Sequence, residues 1–194
     1  MRYTKTKVFA TLSILTGLAL NIANAQPLRG PVQGPSTPEA APTFEVDKKN
    51  KNKRDHLNFG LNPKPISDAN MKFSHFANRK LLIFYFSAKC PHCQQAFPLV
   101  QKLSDELTAQ GFSTIAIAIK YNSEDDIRGF IRDYKVHVPV FQDEDRSFGE
   151  SYGTGSIPLT LMVNDKGEYI RYKTFELEQT PKMIRREASQ LALK

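Results

Sequence analysis

Residues Lys80–Pro98 read KLLIFYFSAKCPHCQQAFP and contain both cysteines of the 194-residue chain, Cys90 and Cys93. The unbroken apolar run from Leu81 to Phe86 is the pattern of a strand covered on both faces, as at the centre of a parallel sheet. Beyond it the period changes. Phe97, Val100, Leu103 and Leu107 recur at helical spacing, and Pro91 falls in the first turn, where its missing N–H costs nothing. Cys90 is thereby placed at a helix N-terminus. Unpaired N–H groups and the positive end of the helix dipole favour a thiolate there, the nucleophile of disulfide exchange. Two intervening residues let Cys93 reach back and resolve a mixed disulfide formed at Cys90.

Two other uses of C-x-x-C weigh less. Zinc needs four ligands, and His56, His75 and His137 show no paired metal-ligand spacing, so no metal is expected. A structural disulfide between residues three apart closes too small a loop to stabilise much.

From about residue 65 onward the chain resembles the thioredoxin superfamily, and FYFSAKCPHC is similar to the active-site approach of DsbA-like periplasmic oxidases. The fold implied is a three-layer α/β/α sandwich with a mixed central sheet and a cis-proline loop. The resemblance makes Cys90 and Cys93 the catalytic pair and the dipeptide between them, Pro91–His92, a tuner of redox poise. A Pro-His pair implies an oxidising enzyme. Lys89 stands where relatives carry an aromatic residue and would bring a cation near Cys90. Tyr152–Pro158, YGTGSIP, matches the other fixed feature of the superfamily. The resemblance implies a cis bond before Pro158, with Ile157 presenting its backbone to an extended substrate.

The frame around the cysteines differs from that of DsbA. Only about 35 residues separate Tyr121 from Ile157, too few for the helical domain of those enzymes, and the pattern resembles TlpA and ResA-like thioredoxins. Two departures bear on chemistry. The buried acid that thioredoxins carry six residues before the first cysteine is here Phe84, and the glutamate that ResA-like enzymes carry three residues after the second is Ala96. Pro98 matches the helix-kinking proline of the superfamily.

The N-terminus carries Arg2, Lys5 and Lys7, an apolar run from Val8 to Leu20, and Ala23-Asn24-Ala25, the layout of a cleaved signal peptide over 1–25. The expectation is a periplasmic protein, soluble after cleavage. Loss of that segment removes three basic and no acidic residues from a formal +7, leaving about +4. No aromatic-interleaved basic stripe appears, so no nucleic-acid partner is expected. Residues 26–64 are read as a disordered tether: prolines recur from Pro27 to Pro42, and the basic run Lys48–Arg54 offers a weak contact to an anionic membrane surface. His56 to Pro65 reads as loop.

Within the expected domain, 65–194, Ser67–Asn78 reads as a short helix capped by Ser67 and Ser113–Lys120 as a second buried strand. Ser123–Tyr134 reads as a helix, Val138–Phe141 as a brief strand and Arg146–Tyr152 as a short helix. Leu159–Val163 and Tyr169–Phe175 form a hairpin about Asn164–Gly167, and Pro181–Leu193 closes the chain as a helix.

These readings give an exported thiol:disulfide oxidoreductase, oxidising rather than reducing, working without a cofactor on client proteins that bear thiols or disulfides. A membrane redox partner would recycle it, and a monomer is expected because residues 26–60 are too polar to dimerise. It also resembles thioredoxin-like proteins encoded with conjugative transfer systems. The alternatives are a reductase of the cytochrome c maturation type and a copper- or client-binding module. The copper proteins of the superfamily use C-x-x-x-C with a distant downstream histidine, and here no histidine follows His137.

Overall fold

The computed structural model describes residues 55–192, so the expected signal peptide and most of the expected tether lie outside the described residues. The sheet is built on β2, Lys80–Phe86, whose interior position follows from its uninterrupted apolar side chains. Its neighbours are β3, Phe112–Ala118, parallel to it, and β5, Leu159–Val163, antiparallel. Two-residue β1, Lys64–Pro65, β4, Val140–Gln142, and β6, Tyr169–Tyr172, complete the mixed order β1-β4-β3-β2-β5-β6. The β2-to-β3 crossover runs through α1, Pro91–Thr108, as a parallel pair requires.

Alternation along the strands sorts the core into two halves. Leu82, Phe84 and Phe86 face Phe97, Val100 and Leu103 of α1, Ile127 and Phe130 of α2 (Glu124–Asp133), and Ile184 and Ala188 of α4 (Gln179–Ala192). Leu81, Ile83 and Tyr85 face Phe73 and Phe76 of a 3-10 turn and Phe148 and Tyr152 of α3, Ser147–Tyr152. In β3 the larger Ile115 and Ile117 go to the second face and Ala116 and Ala118 to the first, where the helices lie close. The result is the three-layer α/β/α arrangement.

Three expectations are corrected. The tether does not extend to residue 64. Leu57 is buried, its N–H donates to Gly167 O, His56 bridges Glu168, and β1 pairs with β4, so residues 55–64 are part of the domain. Ser67 caps no helix. Its hydroxyl accepts the Val140 N–H at 2.8 Å, tying the β1 edge to β4, and only Phe73–Phe76 coils, as a 3-10 turn. The strand after the hairpin stops at Tyr172, leaving Thr174–Leu177 free to form a wall of the site described below.

α2 begins with a reciprocal capping box. The Ser123 hydroxyl accepts the Asp126 N–H at 3.1 Å and the Asp126 carboxylate accepts the Ser123 N–H at 3.0 Å. Lys89 donates to the same carboxylate at 2.8 Å. The Lys89 hydrogen bond, followed by those from the Ser123 hydroxyl and backbone, holds the Asp126 carboxyl down to about 2. Because this lies below the unfolded value of about 3.9, the stabilisation is complete above about pH 4 and is lost as pH falls through about 2. A carbon NMR titration should place the Asp126 midpoint near 2, and Lys89→Ala should move it upward. A wild-type midpoint in the ordinary range would contradict the pairing.

Candidate active site

Cys90 is the N-cap of α1, in extended conformation (φ −84°, ψ 117°), with Pro91 as the first helical residue. Its N–H donates to Ser87 O at 3.1 Å and its carbonyl accepts from Gln94 N at 3.0 Å, so the first turn is closed around it. Cys90 is half-buried, whereas Cys93, one turn in, is fully buried. Burial pushes the Cys93 thiol far above the ordinary thiol range. A hydrogen bond from the Ser87 backbone pulls the other way, and the Cys90 side chain, hydrogen-bonded to Cys93, adds to the rise. One sulfur is thus accessible and the other held as a thiol directly behind it.

The structure shows why no carboxylate assists Cys93. Phe84 is packed edge-on against Phe97 and Phe175, with ring centroids 5.7 and 5.9 Å away, and stacked on Phe86 at 5.9 Å. Ala96 is equally buried on the helix face beside it. An ionised group at either position would be desolvated without a partner.

The peptide bond Ile157–Pro158 is cis. Register places it beside the cysteines, since Leu159, the next residue, pairs with Tyr85 near the end of β2. His92, Ile157 and Pro158 together line a groove of about 360 Å³ closed by Phe175 and Leu177. Ile157 is the ridge between this groove and a second of similar volume containing Tyr85, Tyr121 and Arg146. His92 is exposed on the rim of the first. Lys89 is brought elsewhere: its ammonium is tied to Asp126 at the start of α2, where the carboxylate offsets the charge expected to act on Cys90.

Sequence reading missed the groove wall. Leu177 is 44% exposed, unusual for a large apolar residue in this chain, yet it follows a strand pattern that gave no hint of a turn. It also missed Asn122 and Gln94, whose side chains bond Ala88, because lone amides carry no periodic signal. Among the described residues, no three His, Cys, Asp or Glu side chains lie close enough together to hold a metal ion, and no helix is long and apolar enough to cross a membrane.

A mixed sheet with a C-x-x-C pair at a helix N-terminus, faced by a proline loop, defines a thioredoxin-like protein. The chain belongs to the Redoxin family, whose pattern matches residues 40–189, and it is similar to ResA thiol-disulfide oxidoreductases. It is 23% identical over 118 residues to the thiol-disulfide oxidoreductase ResA of Halalkalibacterium halodurans, covering 61% of this chain and 65% of that one. To ResA of Bacillus subtilis it is 23% identical over 112 residues, covering 56% and 62%. The chain thus spans slightly less than two thirds of these relatives' length. The fold is shared with a secreted thiol-disulfide isomerase from Corynebacterium glutamicum, at a TM-score of 0.61 and 17% identity over 78% of this chain and 99% of that one.

Proposed function

We propose that the protein is an exported thiol:disulfide oxidoreductase that exchanges disulfides with client proteins. Support comes foremost from one observation, the half-buried Cys90 at the N-terminus of α1 with buried Cys93 behind it. In the oxidising direction, a client thiolate attacks the Cys90–Cys93 disulfide and releases Cys93. A second client thiolate then attacks the client sulfur of the mixed disulfide, leaving the client oxidised and Cys90 and Cys93 reduced. In the reducing direction, the Cys90 thiolate attacks a client disulfide and expels one client thiolate. Cys93, its proton passed to water, then attacks Cys90 and expels the other. Each cycle moves two electrons and needs no cofactor. Ile157 and Pro158 bind the client chain beside the sulfurs, and Pro91 and His92 set the poise of the pair. Export agrees with the N-terminal sequence and with the word secreted in the name of the C. glutamicum protein.

Direction is the finer part of the proposal. Pro91–His92 and the absence of an acid at Phe84 and Ala96 support disulfide donation. Likeness to proteins named ResA supports the reverse, the reductase that a TlpA/ResA-like frame implies. Equilibration of the pair with glutathione decides between them. A potential near −120 mV marks a disulfide donor, and one near −270 mV a reductase. No measurable Cys90–Cys93 disulfide would overturn the exchange reading altogether.

A further inference from the structure

The β2–β3 ladder ends at Phe86 opposite Ala118, followed by one further bond from Ile119 N to Phe86 O. Ser87, Ala88 and Lys89, which lead into Cys90, therefore lie beyond the sheet. From the β3 side they are held by the side chain of Asn122, only 3% exposed, while Gln94 of α1 bonds the Ala88 carbonyl. Asn122 Oδ1 accepts the Ala88 N–H at 3.1 Å and its Nδ2 donates to the Ser87 hydroxyl at 3.0 Å. Asn122 is itself fixed from behind, because the Gln142 side chain donates to its carbonyl at 2.7 Å.

Ser87 acts on both cysteines. Its carbonyl accepts the Cys90 N–H at 3.1 Å, and its backbone is among the groups that favour the Cys93 thiolate against the burial opposing it. With rings at Phe84 and a methyl at Ala96, no side-chain carboxylate shares that task. The placement of the Ser87 backbone therefore bears on both cysteines at once, and the Ser87 hydroxyl is the handle by which it is placed.

We propose that Asn122 is a positioning residue for the resolving step, holding Ser87, whose carbonyl fixes the Cys90 N–H, so that Cys90 Sγ stays within reach of Cys93 as Cys93 attacks the mixed disulfide. The inference rests on the exchange reading above. In the step concerned, the Cys93 thiol loses its proton to water, its sulfur bonds to Cys90 Sγ, the bond from Cys90 to the client sulfur breaks, and the client leaves as a thiolate. Asn122 touches no reacting atom and acts through Ser87.

The test uses the reduced mature protein with oxidised glutathione as probe, sampled by acid quench and mass spectrometry. Attack by Cys90 adds one glutathione to the protein, and resolution by Cys93 removes it, so the two rates are read separately. In Asn122→Ala the ratio of resolution to attack should fall about tenfold, the scale of one hydrogen bond to a charged group. Ser87→Ala should do the same and carries the test if Asn122→Ala fails to fold. The two effects should combine to less than their product, since both variants remove the Asn122–Ser87 bond. The pH profile of resolution should move to higher pH in each.

A purely structural role for Asn122 would lower the melting temperature and leave the ratio and the pH profile unchanged, which would overturn the inference. Multiplying effects in the double variant would also overturn it, because Asn122 would then act apart from Ser87. If the wild type forms no adduct at Cys90, the exchange reading itself fails and this inference fails with it. An adduct that forms and resolves alike in wild type and variants removes only the role of Asn122.

Discussion

Replacing Cys90 by serine is expected to lower disulfide exchange by roughly a thousandfold or more, because the one accessible sulfur is lost and Cys93 is buried and held as a thiol. Cys93→Ala should behave differently. Cys90 remains able to attack, nothing resolves the adduct, and the client stays covalently attached. Non-reducing electrophoresis and mass spectrometry should show that adduct accumulating in Cys93→Ala and missing in Cys90→Ser. Undiminished turnover by Cys90→Ser would mean that Cys93 attacks clients directly, against its burial.

The second large effect concerns stability. Asp143 is fully buried, and its carboxylate accepts from the Tyr85 hydroxyl at 2.9 Å, Phe148 N at 2.9 Å and Gly149 N at 2.8 Å. Burial, followed by the nearby Asp143 charge, pushes the Tyr85 phenol well above its usual range, so the hydroxyl keeps its proton and remains a donor. Asp143→Ala would strand three donors in the interior at a cost of about 3–5 kcal/mol. For a domain of this size that is a fall in melting temperature of roughly 10–17 °C. Tyr85→Phe removes one donor and leaves the carboxylate two, and should cost about 1 kcal/mol. Denaturation showing equal losses in the two variants would contradict this account.

Much of this architecture is visible in the sequence because it follows from periodicity. Leu81–Phe86 can only be an interior strand, Phe97 to Leu107 mark one face of a helix, and Asn164–Gly167 has the residues of a tight turn, with Gly167 at φ 83°. The cysteine pair is equally legible, since its chemistry depends on spacing and on position at a helix start. What stayed hidden depends on contacts between distant segments. Ser67 looks like a helix cap until Val140 is seen to claim its hydroxyl. Lys89 looks like a partner for Cys90 until α2 brings Asp126 to it. Asn122 is unremarkable at 34 positions from Ala88 and becomes a bracket for the cysteine loop only when β3 lies beside β2.

The position of Asp55 in the domain has a practical side. Leu57 bonds Gly167 in the turn after β5, and β5 begins next to Pro158, so Asp55 and the cysteines lie at opposite ends of that strand, roughly 13 Å or more apart along it. A dye, bead or electrode linker joined at Asp55 would therefore leave the sulfur-bearing pole facing outward, and the immobilised protein could be oxidised, reduced and reacted with clients without being detached.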